Sequence, residues 1–104
     1  MKGDVNMIFT VEEIRKRILP VMEKNHVKRA VLFGSYSKGR ATENSDIDLM
    51  INCHHRGLDF VGLIEDIRER LDDKEVDAIS ASQIIPNSLV DREIRFTGVE
   101  LYAR

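Results

Sequence analysis

The sequence predicts a mixed α/β (α+β) domain in which helices cover one face of a small mixed β-sheet, and three observations carry that expectation. The run Val31–Ile51 reads as two short apolar strands joined by a Gly-Ser turn and a basic segment. Two stretches repeat apolar residues at helical spacing: Val11, Ile14, Ile18 and Met22, then Phe60, Leu63, Ile64, Ile67 and Leu71. A third strand, Lys74–Ser80, follows the second of these, giving the strand, helix, strand alternation of a layered domain. The 104 residues have room for one core, so the chain reads as a single domain over 1–104.

Each element has its own signal. Thr10 and Glu13 form a capping box that opens the first helix, and Phe9 with Ile14 is placed as a hydrophobic staple. Pro20 falls inside this helix and is expected to kink it or split it near Leu19. A strand over Val27–Phe33 follows, ending at Gly34; Tyr36–Arg40 is expected to form a short helical turn starting at Ser35. Asp59 is placed to cap the second helix, whose remaining surface carries Glu65, Asp66, Arg68, Glu69 and Arg70. The last helix spans about Ser88 to Phe96, with Gly98 to end it and a short final strand over Val99–Tyr102. Leu89, Val90, Ile94 and Phe96 are only loosely periodic; a core role is the expectation, and exposure there would mark a partner surface.

The chemistry concentrates in the Val31–Ile51 stretch. Strand side chains alternate, so Asp46 and Asp48 point to one face, with Cα atoms roughly 7 Å apart, while Ile47, Leu49 and Ile51 anchor the other. Two carboxylates on a rigid strand repel each other unless a hard cation neutralises them, which points to Mg²⁺. Gly34 lets an anion approach the backbone amides, the Ser35 hydroxyl can donate to a phosphate oxygen, and Lys38 and Arg40 add positive charge nearby. Acids on one strand and donors on the turn before it suit opposite ends of a metal-bound nucleoside triphosphate.

Composition narrows the alternatives. Sixteen basic against eighteen acidic side chains, a net charge of -2, argue against a dedicated nucleic-acid surface, so no direct nucleic-acid partner is expected. Met1–Met7 lacks the apolar core of a signal peptide, and no stretch approaches the roughly 20 apolar residues of a membrane span, so the expected location is cytoplasmic with no membrane partner. Cys53 stands alone and reads as a buried thiol. The adjacent His54 and His55 lie in a loop with no third nitrogen or sulfur ligand spaced to join them, and Asp72 and Asp73 sit on a turn that fixes a carboxylate less firmly than a strand.

Gly34-Ser35, ten intervening residues and then Asp46-Ile47-Asp48 resembles the signature of the polymerase-beta-like nucleotidyltransferase superfamily, in particular its minimal nucleotidyltransferase (MNT) members. That resemblance implies a palm-type fold and a third acid on a later strand, which Asp77 supplies. Where many members read Ala-Arg-Gly after the Gly-Ser-aromatic step, this chain has Ser37-Lys38-Gly39; lysine keeps the charge and loses the planar fork. The implied chemistry is nucleotidyl transfer: two Mg²⁺ ions held by Asp46, Asp48 and Asp77, with ATP as substrate and Gly34, Ser35, Lys38 and Arg40 on its phosphates. Proteins of this size resemble the antitoxins paired with HEPN-domain ribonuclease toxins, which implies transfer of AMP to a toxin tyrosine within a hetero-oligomer. The alternatives are an antitoxin that neutralises by binding alone and a transferase, possible as a homodimer, acting on a small-molecule hydroxyl.

Overall fold

The computed structural model describes residues 8–104; Met1–Met7, on which the signal-peptide expectation falls, lie outside the described residues. The elements run α1 (Val11–Lys24), β1 (Arg29–Phe33), β2 (Ile47–Asn52), α2 (Leu58–Arg70), β3 (Val76–Ser80), a 3-10 turn (Ala81–Gln83), α3 (Leu89–Thr97) and β4 (Val99–Ala103). The sheet order is β3-β2-β1-β4, with β1 antiparallel to both β2 and β4, and β2 parallel to β3. The parallel pair is joined through α2, the connection such a pair requires.

Period-two alternation divides the sheet into two faces. Ala30, Leu32, Ile47, Leu49 and Ile51 bury against Ile14, Ile18 and Met22 of α1 and Leu63 and Ile67 of α2, the main core. Val31, Met50 and Ile94 form a smaller cluster on the opposite face, with Phe33, Ile79 and Val90 packed against it. That second face also carries Asp48 and Asp77. The acid side of the sheet is therefore not simply open, as the strand pattern alone suggests: α3 lies across part of it. Gly98 makes this possible, because a Cβ there would lie 2.7 Å from Val31 Cγ1 and collide with the Ile94 carbonyl.

The Thr10–Glu13 capping box forms, the Thr10 N–H donating to Glu13 Oε1 at 2.7 Å and the Glu13 N–H to Thr10 Oγ1 at 3.0 Å. Phe9 and Ile14 bury in the same cluster, as a staple requires. Pro20 does not split α1, which runs unbroken to Lys24; Pro20 and Lys16 are both exposed, so water can satisfy the carbonyl that the proline leaves free. β1 begins at Arg29, two residues later than expected. α2 is not capped by Asp59: it starts at Leu58 behind Gly57, whose φ of 56° turns the chain, and Asp59 sits in the first turn facing the positive end of the helix dipole. Ser88 caps α3, its hydroxyl accepting from the Asp91 N–H at 3.2 Å. Among the described residues no helix is long and apolar enough to cross a membrane.

Candidate active site

The acids occupy the N-terminal ends of the parallel pair. Asp48 is the second residue of β2 and Asp77 the second of β3, and the register sets Asp48 directly opposite Asp77. Both therefore project from the same face, while Ile47, Leu49 and Ile51 fix β2 from behind. Asp46 lies one residue ahead of β2 rather than within it, at a point where the Ile47 N–H donates to the Glu75 carbonyl at 3.0 Å and ties the strand entrance to β3. Asp46 and Asp77 are exposed, and Asp48 is half-buried.

Gly34 closes the site from the β1 side. Its φ of 75° lies in the left-handed region, and a Cβ placed on it would collide with the Asp48 carboxylate. The first backbone segment of the turn thus lies against the central acid, and no larger residue fits. The segment from Ser35 to Arg40 is a turn rather than the expected helical one. The Lys38 N–H donates to the Gly34 carbonyl at 3.3 Å, the Arg40 N–H to the Ser35 carbonyl at 2.9 Å and the Ser37 hydroxyl to the Gly34 carbonyl at 2.9 Å. Gly34 and Gly39, both at positive φ, bracket it and prevent a helix from propagating.

The electrostatics follow from this crowding. Burial first, then the charges of Asp77, Asp46 and Glu93, push the Asp48 carboxyl up to about 6, with Lys38 pulling the other way. Asp48 is thus close enough to both Asp46 and Asp77 to feel their charges. Their oxygens are the donor set that a hard divalent cation takes, and their mutual repulsion is what such a cation would relieve, so the residues present fit Mg²⁺. Among the described residues the carboxylates are not drawn into a closed cluster of three ligands.

Sequence reasoning missed Glu93. It sits on α3, 55 residues from Lys38, and its Oε2 takes the Lys38 Nζ at 2.5 Å, each side chain one-third exposed. Lys38 is therefore engaged by α3 as well as facing the acids, whereas Arg40 is exposed on the turn. No short-range pattern marks such a pair; the only signal was a charged residue on a helix flank next to core positions. The remaining candidates separate from the site. His55 shares a hydrogen bond with Asn25 Oδ1 at 3.0 Å and His54 is exposed, while Asp72 pairs with Arg17 at 3.4 Å. A cavity of about 270 Å³ lined by His55, Arg56, Phe60, Ser80 and Gln83 opens at the C-terminal ends of β2 and β3, the opposite end of the strands from the acids. Its distance from the carboxylates and from Gly34 sets it apart from their chemistry.

Comparison with known proteins gives a consistent picture. Residues 12–100 match the family model described as Nucleotidyltransferase domain. The Methanocaldococcus jannaschii protein named "Putative protein adenylyltransferase MJ0435" is 38% identical over 80 residues, 75% of this chain and 85% of that protein. Among solved structures, a toxin-antitoxin crystallised with AMP-PNP superposes with a TM-score of 0.72 at 22% identity, covering 86% of this chain and 73% of that one. The MNT antitoxin in complex with a tri-AMPylated Shewanella oneidensis HEPN toxin gives 0.67 at 18% identity, over 91% of this chain and 74% of that one.

Proposed function

Because the chain belongs to the nucleotidyltransferase domain family, we propose that it is an antitoxin protein adenylyltransferase that moves AMP from ATP to a tyrosine hydroxyl of a partner HEPN-domain toxin in the cytoplasm. The observation that carries this reading is the in-register Asp48–Asp77 pair facing Gly34. Half-burying Asp48, and setting Asp77 opposite it, pushes its carboxyl up to about 6 and costs stability, and a chain that only had to bind its toxin has no use for that cost. The relatives support the choice of reaction: one carries the name protein adenylyltransferase, and one solved MNT antitoxin is bound to an AMPylated HEPN toxin.

In the reaction, the tyrosine oxygen attacks the α-phosphorus, a new P–O bond forms, the bond to the bridging oxygen of the β-phosphate breaks, and pyrophosphate leaves. Asp46, Asp48 and Asp77 are the residues that would hold Mg²⁺, which when bound supplies positive charge to the triphosphate and the departing pyrophosphate. Gly34 and Ser35 supply a backbone amide and a hydroxyl for the phosphate chain, and the absence of a Cβ at Gly34 lets that chain come close to Asp48. Lys38 has three N–H donors; Glu93 takes one, and the other two remain for phosphate oxygens. Asp77, which is exposed, would accept the tyrosine proton. Arg40, exposed on the turn, adds charge to the approach of the nucleotide.

Incubation with α-labelled ATP, Mg²⁺ and a HEPN-domain toxin from the same genome tests this. Label on a toxin tyrosine is the expected result. Full toxin neutralisation with no label would establish binding alone, and label on an aminoglycoside instead would move the acceptor to a small molecule.

A further inference from the structure

The described outer surface of α3 carries exposed apolar side chains. Leu89 is 83% exposed and Phe96 78%, and Ile85, just ahead of the helix, is 71% exposed. These side chains are not scattered. At 3.6 residues per turn Leu89, Arg92 and Phe96 share an arc of about 60°, while Val90 and Ile94 point to the sheet. Glu93 falls about 40° from Leu89, between the exposed ridge and the core side. Since Glu93 holds Lys38 on the catalytic turn, that flank of α3 faces the site, and the ridge is its rim. Arg92 is exposed at the centre of the ridge, with no hydrogen bond or ion pair from its side chain among the described residues. Arg95, by contrast, is held by Asp91 at 3.2 Å and by Asn87 at 3.1 Å.

We propose that the Leu89–Arg92–Phe96 ridge of α3 is the surface on which the acceptor protein docks, an inference that rests on the transfer reading above. Its occupant is a protein surface that is apolar with a carboxylate opposite Arg92, and it presents its acceptor hydroxyl across the α3 flank toward Asp48 and Asp77. Two large exposed apolar side chains beside a free guanidinium mark an interaction surface, and the unpartnered charge specifies the sign of what it meets. In the transfer reading the hydroxyl belongs to another protein and reaches the acids from outside. A ridge separated from Lys38 only by the Glu93 flank of the same helix would orient the acceptor as it binds, so that docking is converted into rate.

The test compares wild type with the Leu89→Ser, Phe96→Ser double variant, using a HEPN-domain toxin from the same genome as acceptor and calorimetry with AMP-PNP for the nucleotide site. Both side chains are exposed, so the variant is expected to fold and to bind AMP-PNP within twofold of wild type, while kcat/KM for the toxin falls at least tenfold. Arg92→Glu is expected to produce a comparable loss. Equal labelling of the toxin by wild type and the double variant overturns the docking surface and leaves the transfer reading intact. A wild type that labels no protein overturns the transfer reading and with it the acceptor assumed here. A wild-type dimer that the double variant converts to monomer, with toxin labelling unchanged, overturns the inference in favour of a second copy of the chain.

Discussion

Replacing Asp48 with Asn should make the metal-free protein more stable while removing its activity. A carboxyl raised from its usual 3.8 to about 6 holds its proton more tightly in the native than in the unfolded state. The native state therefore loses stability as pH rises from about 4 to about 6, and above that range the loss is complete. At about 1.4 kcal/mol for each tenfold change in acidity the ceiling is about 3 kcal/mol. The carboxylate is partly open to water, which screens its neighbours, so about 1 kcal/mol is the working figure. Asn is nearly isosteric, keeps clear of Gly34 as Asp48 does, and carries no charge to repel Asp77. For a domain of this size about 1 kcal/mol corresponds to a midpoint shift of roughly 4–8 °C. Thermal denaturation in EDTA should thus show the Asn variant above wild type at pH 7.5, with the gap closing toward pH 4. Saturating Mg²⁺ should narrow the gap, because only wild type binds it well. An Asn variant melting at or below wild type at pH 7.5 would refute the reasoning, as would a gap independent of pH.

Other outcomes follow from the same geometry. Mg²⁺ affinity, measured by titration calorimetry, should weaken by up to about tenfold per pH unit below about 6 as Asp48 takes up its proton, since ligand oxygens bind metal in the ionised form. Asp77→Asn should lower AMP transfer by at least about 10²- to 10⁴-fold in a labelled-ATP assay, because it removes a proton acceptor and also one of the three carboxylates that would hold Mg²⁺. Gly34→Ala should cost about 1–3 kcal/mol by chemical denaturation and abolish transfer, because its φ of 75° and the collision with Asp48 act together. Tyr36→Phe should leave stability unchanged or slightly raised: the hydroxyl is buried near the Phe9 backbone yet makes no hydrogen bond of good geometry.

The parts of the fold that the sequence disclosed are those written in local rules. The Thr10–Glu13 box, the α1 and α2 stripes and the alternation around Asp48 each depend on residues within one or two turns, or one strand, of each other. Asp77 came from the resemblance, which calls for a third acid on a later strand, and not from a local rule; its place as second residue of β3, opposite Asp48, depends on a pairing between strands that the sequence does not spell out. What stayed hidden depends on distant partners. Gly57 takes the cap position from Asp59 because the entry of the loop into α2 decides where the helix starts, and nothing within that helix encodes it. The position of α3 over the acid face depends on Gly98 fitting against Val31, a contact across 67 residues, and only that placement brings Glu93 to Lys38.

This separation of local from distant rules also explains how the site can be kept in a repulsive state. Ile47, Leu49 and Ile51 are fully buried on the face of β2 away from the acids, and each contributes about 1.5–3 kcal/mol on leaving water. Asp48 costs about 1 kcal/mol on the other face of the same six residues. The anchoring face exceeds the cost several-fold, so β2 keeps its register with the carboxylates uncompensated, and Asp48 stays opposite Asp77 before any cation arrives. If the anchoring were weaker, the cheaper response would be a one-residue slip. That slip would turn Asp48 into the core and Ile47 and Leu49 out to solvent, and losing both their burial and the carboxylate's hydration makes it far costlier than the repulsion it relieves.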